Sequence, residues 1–165
     1  MRSDARASAP DERELDLDRF LPYRLSVLSN HVSQALARHY STRFGLGVHE
    51  WRVMAVLGQN MGLSARDLAL RTAMDKVQVS RAISRLVRQK RVQRQSDATD
   101  GRITRLYLSA RGRAIYDEIV PFALHLEDTF LAALAPEERL QLDRLMTKLA
   151  RQVRLLGSGL PVARI

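Results

Sequence analysis

Apolar residues recur at helical spacing from residue 17 to about residue 43. Leu21, Leu25, Leu28, Val32 and Leu36, followed by His39 or Tyr40, trace one face of a long amphipathic helix. Gly45 and Gly47 end it. A second helix, residues 50–59, carries Trp51, Met54, Ala55 and Leu57, with Gly58 and Gly62 at its exit. Ser64 answered three residues later by Asp67 has the spacing of a helix cap, and predicts a short helix that stops near Thr72. Asp75 and Gln78 repeat the signature and open a longer helix with two unlike faces. Val79, Ile83, Leu86 and Val87 form its apolar back; Lys76, Gln78, Arg81, Ser84, Arg85 and Arg88 form its polar front.

Two short helices joined by a tight turn, the second apolar behind and basic in front, are the parts of a helix-turn-helix. The period then changes. Two short strands are predicted around residues 92–96 and 103–108, and the Asp100-Gly101 dipeptide between them is a tight-turn signal, so the pair reads as a β-hairpin with Arg102 at its tip. After it Ser109 caps a long helix with the stripe Ile115, Ile119, Phe122, Leu126 and Phe130, in which Pro121 predicts a kink. A last helix follows Pro136, with Leu142, Leu145, Leu149, Val153 and Leu156 at near-heptad spacing suited to packing on another helix. The fold class is therefore mainly α with a small β-hairpin wing: a winged helix-turn-helix at residues 48–108, and a helical region at residues 17–44 and 109–157. Residues 1–16 mix both charges without a stripe and read as a mobile arm; residues 158–165 read as a C-terminal tail.

Charge changes the picture because of where it sits. The net charge is +9, and residues 66–113 hold thirteen basic side chains against four acids, so the middle of the chain carries the whole excess while the flanks balance. A localised basic field of this kind suits a polyphosphate partner. The chain has no cysteine, which removes disulfides, thiolate metal sites and thiol redox sensing together. Its four histidines, His31, His39, His49 and His125, are widely spaced, and no metal-ligand or catalytic constellation appears, so neither an enzyme nor a cofactor is expected. There is no run of 18 apolar residues and no apolar stretch near the N-terminus, which predicts a cytoplasmic protein acting on the nucleoid rather than at a membrane.

Several local strings resemble one family as a set: Glu50-Trp-Arg-Val, the helix-turn-helix at residues 64–88, the wing at residues 97–102, and Leu108-Ser-Ala-Arg-Gly112 after it. The order of elements over residues 21–156 is similar to the multiple-antibiotic-resistance regulator (MarR) family of bacterial winged-helix repressors. That resemblance implies a homodimer, joined through the first and last two helices, that binds a double-stranded DNA operator. It implies Lys76, Gln78 and Arg81 as readers of base edges, Ser80, Arg85 and Arg88 as phosphate contacts, and Ser64 at the start of the first of the two short helices as a further contact. In the wing, Arg102 matches the arginine that enters the minor groove and Asp100 the acid that steadies it. Three positions depart from the family pattern: Thr99 stands where a second wing arginine is frequent, Lys90-Arg91 stands where glycine and an apolar residue are common, and Ala135 replaces a hydroxyl cap. The first predicts a weaker wing contact, the second additional phosphate contacts at the recognition-helix exit, and the third a less satisfied start for the last helix.

The first long helix carries a second line, Tyr23, Ser26, Asn30, Ser33 and Ala37, of small and polar residues. Such a line leaves room for a small anionic aromatic effector, with Trp51 as an aromatic wall and Arg24, His39 or Arg43 to meet a carboxylate or its coenzyme A thioester. Close helix packing explains the same line. The run Leu21-Pro-Tyr-Arg-Leu-Ser-Val-Leu-Ser-Asn30 also resembles relatives that govern aromatic-acid breakdown. An architectural protein that binds DNA by charge and shape alone accounts for the charge equally well, but leaves a recognition helix beside a separate wing unexplained.

Overall fold

The computed structural model describes residues 15–159; the first 14 residues of the N-terminal arm expected at residues 1–16 and the last six residues of the expected tail lie outside them. Six helices and one hairpin follow in order: α1 Leu21–Phe44, α2 Val48–Gln59, α3 Ala65–Thr72, α4 Lys76–Arg88, β1 Val92–Ser96, β2 Thr104–Leu108, α5 Ala110–Leu131 and α6 Pro136–Gly159. The chain divides into two compact units, one ending at Ala35 and the other beginning at Leu36.

The first unit is the N-terminal part of α1 and the turns before it. The helix begins at Leu21 rather than at residue 17, because residues 16–20 close two turns, with Arg19 N–H donating to the Asp16 carbonyl and Phe20 N–H to that of Leu17. The stripe residues Leu21, Leu25 and Leu28 are all exposed within this unit.

The second unit holds the core. Tyr40 and Leu46 from the end of α1 and its exit meet Trp51, Val53, Met54 and Leu57 of α2, Leu68 of α3, Val79, Ile83 and Leu86 of α4, Leu106 of β2, and Ile115 and Ile119 of α5. Gly45 stops α1 by taking a left-handed conformation, φ 60°, with its N–H on the Ser41 carbonyl. Helix α2 starts at Val48, two residues before Glu50, because Glu50 folds its carboxylate back onto the Gly47 N–H at 2.6 Å and so closes the first turn. Strands β1 and β2 pair antiparallel from Val92↔Leu108 to Ser96↔Thr104, and Leu63 adds a single bridge to Leu106. Ile103 is left out of β2 because its N–H serves the turn, bonding to the Asp100 carbonyl.

Ser109 caps α5 through the Gly112 N–H at 3.0 Å, and α5 passes through Pro121 as one helix. The start of α6 is better satisfied than the alanine at its cap suggests. Glu138 accepts the Ala135 N–H at 2.8 Å, supplying the acidic half of a capping box without a hydroxyl. Helix α6 continues to Gly159, past the expected start of the tail, and its stripe Leu142, Leu145, Leu149 and Val153 is exposed throughout. No single helix among the described residues is long and apolar enough to cross a membrane.

Candidate nucleic-acid interface

Helix α4 is positioned by local chemistry at both ends. Its start is a reciprocal cap in which Asp75 accepts the Gln78 N–H at 2.8 Å and the Gln78 carbonyl oxygen accepts the Asp75 N–H at 3.4 Å. Its back, Val79, Ala82, Ile83 and Leu86, is buried. Lys76, Val77, Ser80, Arg81, Ser84, Arg85 and Arg88 are exposed. The Asp75 carboxylate at the cap is the one acid at this end of the helix, and none follows it in the first turn. Gln78 is half-buried and its oxygen is engaged in the cap, which leaves its amide N–H groups for an outside acceptor. Two grooves flank α4, each of about 570 Å³. One runs between α3, α4 and the hairpin, past Arg66, Lys76 and Arg94; the other lies along Gln78, Arg81, Arg85 and Arg88 beside His49 and Glu50.

Ser64 works as a cap. Its hydroxyl accepts the Asp67 N–H at 3.2 Å and donates to Asp67 Oδ2 at 2.8 Å, and these Ser64 bonds hold the Asp67 carboxyl below the usual carboxylate range. Arg85 is tethered as well. Its Nη1 lies 3.1 Å from Glu50 Oε1, a carboxylate whose side chain is only 8% exposed.

The wing is organised around Asp97. Oδ1 accepts the Thr99 N–H at 2.9 Å, the Thr99 hydroxyl at 2.6 Å and the Asp100 N–H at 3.1 Å, while Oδ2 takes Arg105 Nε at 2.6 Å. The Thr99 bonds come first among the causes that push this carboxyl well below its ordinary range, ahead of Arg105 and the Asp100 N–H. Arg105 also donates to the Gly62 carbonyl at 3.3 Å and stands 3.9 Å from Asp67, which ties the wing to the start of α3. Thr99, where a second arginine was the comparison, thus orders the wing from within. Asp100 accepts the Arg102 backbone N–H at 3.0 Å, so the acid fixes the backbone that carries Arg102 and leaves the exposed guanidinium at the tip.

The recognition-helix exit corrects the expectation for Arg91. Lys90 adopts φ 57°, the left-handed geometry for which glycine is the easy choice, and is exposed. Arg91 is 6% exposed and fills the apolar slot, its guanidinium donating to the Phe44 carbonyl at the end of α1. Burial, with Arg111 nearby, lowers its pKa, and Glu50 works in the opposite direction. It is unavailable to a phosphate because it is enclosed by the protein.

The residues named for an effector are split between the two units. Tyr23, Arg24, Ser26 and Asn30 lie in the first and are exposed; Tyr23 and Arg24 line a surface groove of about 630 Å³ with Leu28 and His31. In the second, His39 stacks on Phe122 at 3.5 Å, and Arg43 forms an ion pair with Glu118. Trp51 is 8% exposed and stands between Tyr40 at 5.7 Å and Tyr116 at 6.0 Å, so its ring packs as part of the core. Among the described residues no group of three His, Asp or Glu side chains could hold a metal ion.

The pattern that defines the MarR family matches residues 44–103. No curated protein sequence matches the chain. Among solved structures, a MarR-family transcriptional regulator from Silicibacter pomeroyi is 27% identical, covering 93% of this chain and 100% of its own, with a TM-score of 0.68. A MarR/EmrR family transcriptional regulator from Acinetobacter sp. ADP1 is 26% identical over 86% of this chain and 99% of its own, with a TM-score of 0.78. BpsR of Bordetella bronchiseptica, whose DNA binding is regulated by 6-hydroxynicotinic acid, is 23% identical over 83% of this chain and 97% of its own, with a TM-score of 0.72; at that identity the likeness shows the fold alone.

Proposed function

We infer the function from the family to which the chain belongs, the MarR winged helix-turn-helix transcription regulators, which bind DNA and are not enzymes, and from the cationic face just described. The protein is a homodimeric repressor that binds a pseudo-palindromic operator. Each protomer lays α4 in a major groove and Arg102 in the flanking minor groove. The observation that carries this reading is the exposed row on α4, with Lys76, Arg81, Arg85 and Arg88 on a helix whose opposite side is buried, beside a wing ordered by its own hydrogen bonds. Arg81, Lys76 and the Gln78 amide face base edges; Ser80, Arg85 and Arg88 face phosphates. Residues 17–44 and 109–157 form the dimer region, supported by the exposed apolar stripes of α1 and α6.

Release from DNA follows binding of a small anionic aromatic compound. The polar line Ser26 and Asn30 on α1, and the basic side chain of Arg24 in the same unit, supply the chemistry such a ligand needs. A protein of this fold, BpsR, responds to an aromatic carboxylate.

The test is selection of bound duplexes from a random pool, followed by footprinting. Two related half-sites about 10 base pairs apart, preferred over random DNA by ~10³ or more, support the reading. A single half-site, or no preference, favours the architectural alternative. Thermal-shift screening with aromatic acids and their thioesters tests the effector separately, since a ligand of the native state raises its melting temperature.

A further inference from the structure

One residue on the exposed side of α4 does not fit a phosphate-binding face. Val77 is 57% exposed in the first turn of the helix, in a segment otherwise presenting cations and hydroxyls. At 100° per residue, Arg81, Ser84 and Arg88 stand within about 40° of Val77 around the helix axis. The buried residues Val79, Ala82, Ile83 and Leu86 lie on the opposite side. Val77 is thus central to the face, while Lys76 borders one groove, Gln78 and Arg85 the other, and Ser80 both.

Neither folding nor solubility asks for valine there. A β-branched side chain is a mediocre helix former, and the first turn favours an acid or a small polar residue. Its branched methyls contribute nothing to the core and cannot bind phosphate. The major groove of DNA contains one apolar feature that proteins read, the C5 methyl of thymine, and an aliphatic side chain near the start of a recognition helix is a chemically matched partner for it.

We propose that Val77 is a specificity-determining residue that packs on a thymine methyl in each half-site. The proposal rests on the reading that α4 enters the major groove. It assigns to Val77 a different kind of information from the hydrogen-bonding residues around it: thymine is distinguished from cytosine or uracil by shape and hydrophobicity rather than by donors and acceptors.

The experiment uses full-length protein and a duplex selected by it from a random pool. Each thymine is replaced in turn by deoxyuridine, which removes the methyl group and preserves every Watson–Crick contact. Affinity is measured by fluorescence anisotropy at fixed salt for the unaltered protein, Val77→Ser and Arg81→Ala. Burial of one methyl group is worth about fourfold in affinity, the equivalent of about 0.8 kcal/mol. The unaltered protein should lose about that factor for each half-site at one thymine position. Val77→Ser should bind the thymine and deoxyuridine duplexes equally, and Arg81→Ala should keep the thymine preference. The inference is overturned if no thymine position responds, or if the response is undiminished in Val77→Ser. If both variants lose equally on selected and random DNA, α4 reads no bases and the underlying reading falls with it; a base-specific loss in Arg81→Ala alone would leave that reading standing and remove only the role of Val77. Val77 is exposed, so an unchanged melting temperature separates these outcomes from misfolding.

Discussion

Replacing Glu50 tests how the recognition helix is held. The carboxylate accepts the Gly47 N–H at 2.6 Å, pairs with Arg85 at 3.1 Å, and offsets the desolvated guanidinium of Arg91. Glu50→Ala removes the carboxylate acceptor of the part-buried Gly47 N–H, a loss of about 1.5–3 kcal/mol. The ion pair adds less than about 1 kcal/mol, because the Arg85 side chain is 60% exposed and screened by water. The total, about 3 kcal/mol, corresponds to a fall of roughly 6–12 °C in melting temperature for a chain of this size. Glu50→Gln keeps an acceptor for Gly47 and should cost only about 1 kcal/mol. Its second effect falls on DNA binding. An untethered arginine must give up rotamer freedom worth up to about 2 kcal/mol when it reaches a phosphate, so operator affinity should drop by roughly three- to tenfold. The assay is a double-mutant cycle with Arg85→Ala, read by denaturation at fixed protein concentration and by anisotropy on DNA. Glu50→Gln should weaken DNA binding in the natural background and add nothing once Arg85 is gone. An identical affinity loss in both backgrounds, or full stability in Glu50→Ala, would refute the argument.

Three further predictions concern the frame around the site. Lys90→Gly should raise the melting temperature, by about 0.5–1 kcal/mol of stability, because the left-handed φ of 57° is strained for lysine and free for glycine. Gly112→Ala should destabilise by at least about 2 kcal/mol in a urea titration, since a Cβ there would collide with the Arg91 backbone carbonyl, which cannot swing aside. Asp67→Asn should have a pH-dependent cost. The native carboxyl titrates below the free value of 3.8, so its contribution is full above that pH and is lost as pH falls through the lowered native value; melting curves of the two proteins should differ at neutral pH and converge in acid.

The elements legible in the sequence were those set by neighbours three or four positions away. Ser64 with Asp67, Asp75 with Gln78, and Ser109 before α5 are caps that need no tertiary information, and all three form. Helix boundaries failed where a side chain acts backwards: Glu50 looked like the start of α2 but is its third residue, closing the turn onto Gly47. Contacts between distant positions were hidden altogether. Arg91 reads as one more basic residue, and its burial depends on a carbonyl 47 positions away. Trp51 reads as a pocket wall because nothing nearby in sequence shows that Tyr116 will cover one side of it. Val77 carries no periodic signal, because a valine between Lys76 and Gln78 falls outside the apolar stripe that begins at Val79; only its exposure in the folded chain singles it out.

Those hidden contacts reduce the cationic field that the chain can present to DNA. Residues 66–113 contain thirteen basic side chains. Three of them are engaged away from DNA by the protein: Arg91 by burial against Phe44, Arg105 by Asp97, and Arg113 by Asp117 and the Gly58 carbonyl. Ten remain per protomer, from Arg66 and Arg71 through Lys76, Arg81 and Arg85 to Arg102 and Arg111, Arg85 staying 60% exposed while Glu50 holds it. Counterion release follows the phosphates neutralised, so salt dependence is bounded by those ten and not by the thirteen that composition supplies. Arginines bonded within the protein have a second effect. Arg85 braces α4 against α2, Arg105 braces the wing against α3, and Arg91 joins the exit of α4 to the end of α1. A rigid spacing between helix and wing makes affinity depend on whether a major groove and its neighbouring minor groove present themselves at that spacing, so the cations removed from the surface field are converted from general attraction into geometric selection.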